Sequence, residues 1–207
     1  MIKKINFILP LFMAAFFIMS GCGSGNNNTV PLPDSDSTAG ADDGFHTAYK
    51  KFTEAVKHKK NSELKSILDP AVGIFIIESP GALPVVYNLP DAEAFVSQNG
   101  KTLFDFFNDK ISPEPVSADM PVIDCVYSNG TPYNKTGCFM KSITSADNEL
   151  SFLSSASGNA DDKQKAEVAR NKLSMKVINT YNHVYYFTKS GDKWYLTFID
   201  LRKPCEA

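Results

Sequence analysis

His183 and Asp200 are the residues of this chain whose types and spacing could form an acid/base couple. Both sit in a C-terminal stretch rich in Val, Ile, Tyr and Phe. Ser174–Thr188 reads as one strand and Lys193–Leu201 as a second, joined by Lys189-Ser190-Gly191-Asp192. Gly191-Asp192 fits a two-residue hairpin loop with glycine at the first central position. Counting back from that loop places Phe187 opposite Leu196, Tyr185 opposite Phe198 and His183 opposite Asp200, all on one face. Directly opposed residues hold their Cβ atoms roughly 4.5–5.5 Å apart. An imidazole beside a carboxylate can move a proton near neutral pH, and an ionised Asp200 would raise the pKa of His183. The other reading is a structural cross-strand pair, and a one-residue slip would send His183 to the opposite face. Tyr181, Tyr185, Trp194 and Phe198 are the candidates to line a pocket; core packing or a dimer contact through a sheet face would use the same side chains.

The chain has four cysteines. Besides Cys22 near the amino terminus there are Cys125, Cys138 and Cys205, which allow three single disulfides, each leaving one thiol. Cys125–Cys138 is favoured by closeness in sequence, across a turn-rich segment. A tight turn at Asn129-Gly130 conflicts with it, since that would set Cys125 opposite Asn134. No Cys-x-x-Cys occurs and His46, His58 and His183 are scattered, so no metal site is expected. Gly100-Lys101-Thr102 lacks the upstream glycine of a phosphate loop, and no Gly-x-Ser-x-Gly is present. No cofactor is implied. A formal net charge of −2 without a long basic run argues against nucleic acid as a partner.

Residues 1–21 have the anatomy of an export signal. Lys3 and Lys4 precede an apolar stretch from Ile5 to Met19, broken by Asn6 and Pro10, and the small Ser20 and Gly21 follow. Such a stretch is too short and interrupted for a spanning helix, which needs about 20 apolar residues. Met19-Ser20-Gly21-Cys22 resembles the lipobox of bacterial lipoproteins, with methionine where leucine is commonest. The resemblance implies cleavage before Cys22, a diacylglycerol on its thiol and acylation of the new amino terminus, palmitate being a typical chain. Two or three chains make a permanent anchor where one would be marginal. Gly23 in place of aspartate points to the outer membrane of a Gram-negative bacterium, with the domain in the periplasm or at the cell surface. Residues 22–43 are dominated by Gly, Asn, Ser, Asp, Thr and Pro. They read as a flexible linker spanning roughly 25 Å.

The folded part is expected over residues 44–207 as one α+β domain. Phe45, Ala48, Tyr49, Phe52, Ala55 and Val56 make one apolar helical face. Asn61 or Ser62 can cap a short helix with Leu64, Ile67 and Leu68 inward, and Gly73–Ile77 reads as a buried strand. Asp91 can cap a further helix reaching Phe107, broken at Asn99-Gly100. Strands are expected at 121–127 and 138–143, a polar loop at 144–160 and a helix at 161–173. The terminal strands carry apolar residues on both faces, so the sheet should be covered on both sides. This order resembles the nuclear transport factor 2-like, SnoaL-like (cystatin-like) cone fold, a curved, mostly antiparallel sheet wrapping an amino-terminal helix. That family includes isomerases, dehydratases, binding modules and docking domains, so the resemblance implies a fold and no single activity.

Together these readings point to a membrane-anchored lipoprotein of the cell envelope. It would be a non-catalytic module for a small ligand or an envelope protein. A small enzyme using His183 and Asp200, or a structural subunit of an envelope complex, are the alternatives.

Overall fold

The computed structural model describes residues 39–126 and 130–205, with side chains from Asp43 onward. The signal segment, Cys22 and the linker before Ala39 lie outside the described residues. Helix α1 (Ala39–Lys57) starts inside the expected linker, where Ala39 and Ala41 are strong helix formers among polar neighbours. Its predicted stripe is buried, with Phe45, Tyr49, Phe52 and Ala55 fully enclosed. Helix α2 (Asn61–Lys65) follows. Lys60 holds its cap position and makes no side-chain cap bond, so neither Asn61 nor Ser62 plays that part. Leu64, Ile67 and Leu68 are buried as expected.

The protein is α+β. Seven strands form one sheet: β1 (Ile74–Glu78), β2 (Val85–Leu89), β3 (Val116–Ser117), β4 (Cys138–Ser142), β5 (Met175–Asn179), β6 (Val184–Ser190) and β7 (Lys193–Asp200), in the order β2-β1-β7-β6-β5-β4-β3. β1 pairs parallel to β7, and β3 parallel to β4; the other neighbours are antiparallel. β7 pairs with its hairpin neighbour β6 on one side and with the distant β1 on the other, which puts the last strand mid-sheet and brings the chain end across it.

Three expectations need correction. The long run from Ser174 is two strands, because Asn179 to Asn182 turns the chain: the Asn182 N–H donates to the Asn179 carbonyl at 2.9 Å. Residues 121–126 make only one isolated bridge, Ile123 to Tyr133. Their β-branched side chains find no neighbouring strand to pack on, and propensity alone does not make a strand. The helix after Asp91 is a single 3₁₀ turn (Ala92–Ala94), with Asp91 Oδ1 accepting from the Glu93 N–H at 3.1 Å; a second turn (Leu103–Phe106) is closed by Thr102 and Asp105. Strand β2 was not anticipated.

The sheet is covered on both faces. The inner face presents Ile74, Ile76, Val177, Tyr185, Phe187, Leu196 and Ile199 to α1, with Phe52 and Tyr185 ring centroids 4.7 Å apart. The outer face presents Phe75, Ile77, Val86, Tyr186 and Phe198. These pack against a 3₁₀ turn (Ser151–Ser155) and helix α3 (Ala160–Arg170), whose inward residues are the small Ala166 and Ala169. Asn159 caps α3, accepting from the Asp161 N–H at 2.8 Å.

Candidate functional site

The Gly191-Asp192 loop sets the predicted register, but only for half of the hairpin. Lys189 faces Trp194, Thr188 faces Tyr195 and Phe187 faces Leu196. There a β-bulge intervenes. Thr197 is the extra residue, and beyond it Tyr186 faces Phe198, Tyr185 faces Ile199 and Val184 faces Asp200. The predicted Tyr185–Phe198 and His183–Asp200 pairs therefore do not form. His183 shares the inner face with Tyr185; Asp200 shares the outer face with Val184, Tyr186 and Phe198. The two side chains stand on opposite sides of the sheet.

His183 is 4 % exposed, edge-on to Phe107, and its Nε2 lies 2.8 Å from the Phe106 carbonyl. A carbonyl only accepts, so Nε2 carries the proton in the neutral ring. Nδ1 is buried with no protein partner. Burial outweighs that hydrogen bond and the distant Asp200 charge, and holds the His183 pKa below its usual value, the reverse of the expected shift. The sign of the pH dependence follows. Above the unfolded value of 6.5 neither state binds the proton. As pH falls through that value, the unfolded chain takes up a proton that the folded chain refuses. Stability is then lost, by at most about 1.4 kcal/mol per pH unit for one group. Urea unfolding at about pH 7.5 and about pH 5.5 should show this loss, and His183→Gln should flatten the difference. A larger stability at the lower pH would contradict the assignment.

Asp200, 5 % exposed, is engaged elsewhere. It accepts two hydrogen bonds from the Arg202 guanidinium, from Nε at 2.8 Å and Nη2 at 2.7 Å. The guanidinium lies 3.6 Å from the Phe152 ring centroid. Burial alone would lower the Arg202 pKa; the Asp200 hydrogen bonds and charge outweigh it and raise the value. On the same face Lys176 Nζ donates to Glu149 at 2.8 Å, and the Tyr186 hydroxyl donates to that carboxylate at 3.2 Å. Burial, then the Glu149 charge, raises the Tyr186 pKa well above normal. Glu78 accepts from the Tyr87 hydroxyl at 2.9 Å, and burial with that carboxylate pushes Tyr87 up to about 12.

Asp200, Arg202, Lys176, Tyr186 and Glu78 border a groove of about 940 Å³ on the part of the outer face that α3 leaves uncovered. Ile178, Val184 and Tyr186 line it, as do Glu78, Lys176 and Asp200. One wall is the segment Pro121–Ile123 with Tyr133; another is Leu201–Pro204. The disulfide joins these two walls. Cys125 is bonded to Cys205, with Cα atoms 5.7 Å apart, and not to Cys138 as favoured from the sequence. Cys138 instead points from β4 into the core, where its sulfur lies 3.3 Å from the Tyr49 hydroxyl. Burial pushes that thiol up to about 11, which keeps it protonated and unreactive.

No family model, curated protein or solved structure matches this chain. The site therefore rests on its own geometry.

The four aromatic candidates do not converge on one pocket. Tyr185 and Phe198 are fully buried on opposite faces, and Trp194 packs edge-on to Phe45 at 5.1 Å. Tyr181 lies at the β5–β6 turn under Lys110, whose Nζ is 5.0 Å from its ring. Glu149, Lys176 and Arg202 were missed. Arg202 carried a readable signal: it stands two residues beyond Asp200 at a strand end, so the two share a face. Glu149 had none, because it comes from an irregular loop. Among the described residues, no cluster of three or more His, Cys, Asp or Glu could hold a metal ion. No helix among them is long and apolar enough to cross a membrane.

Proposed function

We propose that this protein is a lipid-anchored, non-catalytic binding module of the bacterial cell envelope. Acylated Cys22 would hold it in the outer membrane, and the α+β domain would face the periplasm or the cell surface. We also read its sheet as the curved sheet of the nuclear transport factor 2-like cone, with α1 on the inner side; α1 packing along the inner face supports that reading.

The observation carrying the functional reading is the composition of the outer-face groove. Both of its carboxylates are engaged, Asp200 with Arg202 and Glu78 with the Tyr87 hydroxyl, and its Lys176 pairs with Glu149. The wall pinned by Cys125–Cys205 leaves Val122, Ile123 and Val126 exposed, the last at 79 %. Paired charges offer no proton acceptor ready for chemistry, whereas clustered exposed apolar side chains are the usual mark of a recognition surface. The partner that suits it is an envelope protein presenting apolar side chains. The enzyme alternative loses its pair, since His183 and Asp200 stand on opposite faces.

The test has two parts. Mass spectrometry of the native protein should find an acylated Cys22 as the first residue, and Cys22→Ala should release the domain or leave the precursor uncut. A photo-crosslinking residue at Ile123 of the full chain should give a discrete adduct in intact cells, lost with Val122→Asp. An adduct of twice the chain mass would make the partner a second copy. An efficiently cleaved, unmodified chain would overturn the anchor, and absence of any adduct would overturn the groove.

A further inference from the structure

The outer face holds a second cavity, of about 580 Å³, between α3 and the sheet. It exists because α3 turns only Ala166 and Ala169 inward, and alanines cannot fill the space that larger residues would. Val72, Phe75 and Val168 supply apolar lining. Two lysines, Lys165 and Lys172, also line it, against the single carboxylate of Asp69; Lys189 borders it too, but its ammonium lies 5.7 Å over the Trp194 ring on the inner side of the sheet. Among the described residues neither Lys165 nor Lys172 forms an ion pair, whereas Lys141 and Lys176 elsewhere do. The bulge adds a built polar element. It turns Thr197, 5 % exposed, into the cavity lining beside Thr188, with the hydroxyls 2.8 Å apart. The Thr197 hydroxyl donates to Thr188 and also faces the Tyr195 carbonyl at 3.3 Å, an arrangement that leaves the Thr188 hydroxyl hydrogen to donate.

We propose that this cavity binds an amphipathic organic anion, its head group held by Lys165, Lys172 and the Thr188–Thr197 hydroxyls and its hydrocarbon body lying over Val72, Phe75 and Val168. The volume lies within the usual range of about 300–1,000 Å³ for small-molecule sites. An apolar body alone would leave the unpaired ammonium groups unused; an inorganic anion would leave the apolar lining wet. A negative head on an alkyl chain satisfies both. This site is separate from the groove beside Asp200 and does not depend on the proposal made for that groove.

The experiment uses the full chain in native membrane vesicles with a laurate analogue carrying a photoreactive diazirine. Adducts located by mass spectrometry should fall on peptides containing Phe75 or α3. Excess laurate or dodecyl phosphate should suppress them, the stronger competitor identifying the head as carboxylate or phosphate; dodecanol and acetate should not. The combined change Lys165→Gln and Lys172→Gln should lower labelling at least tenfold. The same charge change on α1, by Lys50→Gln and Lys51→Gln, should leave it unaltered. These are exposed positions, and unchanged urea midpoints would show that both variants fold. Labelling only elsewhere, equal suppression by dodecanol, equal loss in both variants, or no labelling would each overturn the proposal.

Discussion

Breaking the Cys125–Cys205 bond should cost this domain about 4.5 kcal/mol, the chain-entropy expectation for a link across a sequence separation of 80 residues. Cys205→Ser, Cys125→Ser and chemical reduction should each lower the urea midpoint by a similar amount, because each removes the same constraint on the unfolded chain. Both cysteines are exposed, so little packing is lost with them. Cys138→Ala should cost only about 1 kcal/mol, from one thiol contact with Tyr49. The pairing favoured from the sequence predicts the opposite pattern, with Cys138→Ala damaging and Cys205→Ser silent. Losing the bond should also loosen the groove walls, so limited proteolysis should cut within 121–133 first.

The sequence carried the disulfide's chemistry but not its topology. Closeness in the chain favoured Cys138, yet Cys138 belongs to β4 and faces α1, while Cys125 sits on an exposed loop outside the sheet. Only the placement of β7 between β1 and β6 brings Cys205 to that loop, and no local pattern encodes it. The α1 stripe was legible because an amphipathic period repeats over several turns. The hairpin register was legible from its loop as far as Leu196. Beyond that it depended on one extra residue, and a period of two amplifies a single-residue error into a change of face. That step alone moved His183 away from Asp200. The outer-face network was illegible for a different reason. Glu149 comes from a segment without periodicity, and nothing local marks Lys176 among the other polar positions of its strand.

Gly73→Ala should be among the most damaging single substitutions outside the core, and three glycines together show why. Gly73 joins the α2 region to β1 at a φ of +74°, and a Cβ there would stand 2.1 Å from the Leu89 carbonyl oxygen. That oxygen is backbone at the end of β2, where Leu89 pairs with Ile74, so it cannot withdraw without unpairing the strand edge. Left-handed strain of about 1–2 kcal/mol adds to overpacking of about 1–3 kcal/mol, for an expected loss of roughly 2–5 kcal/mol. Gly191, at φ +59°, has no atom within 4 Å of its ideal Cβ, so Gly191→Ala should show the strain alone, about 1–2 kcal/mol. Gly81 has open space and an ordinary backbone, so Gly81→Ala should be neutral or stabilise by up to about 1 kcal/mol through the unfolded state. Urea midpoints of the three variants should therefore fall in the order Gly81→Ala, Gly191→Ala, Gly73→Ala, from most to least stable. A Gly73→Ala midpoint equal to that of Gly191→Ala would mean that β2 yields at Leu89, and the close approach of the two segments would be no constraint on the fold.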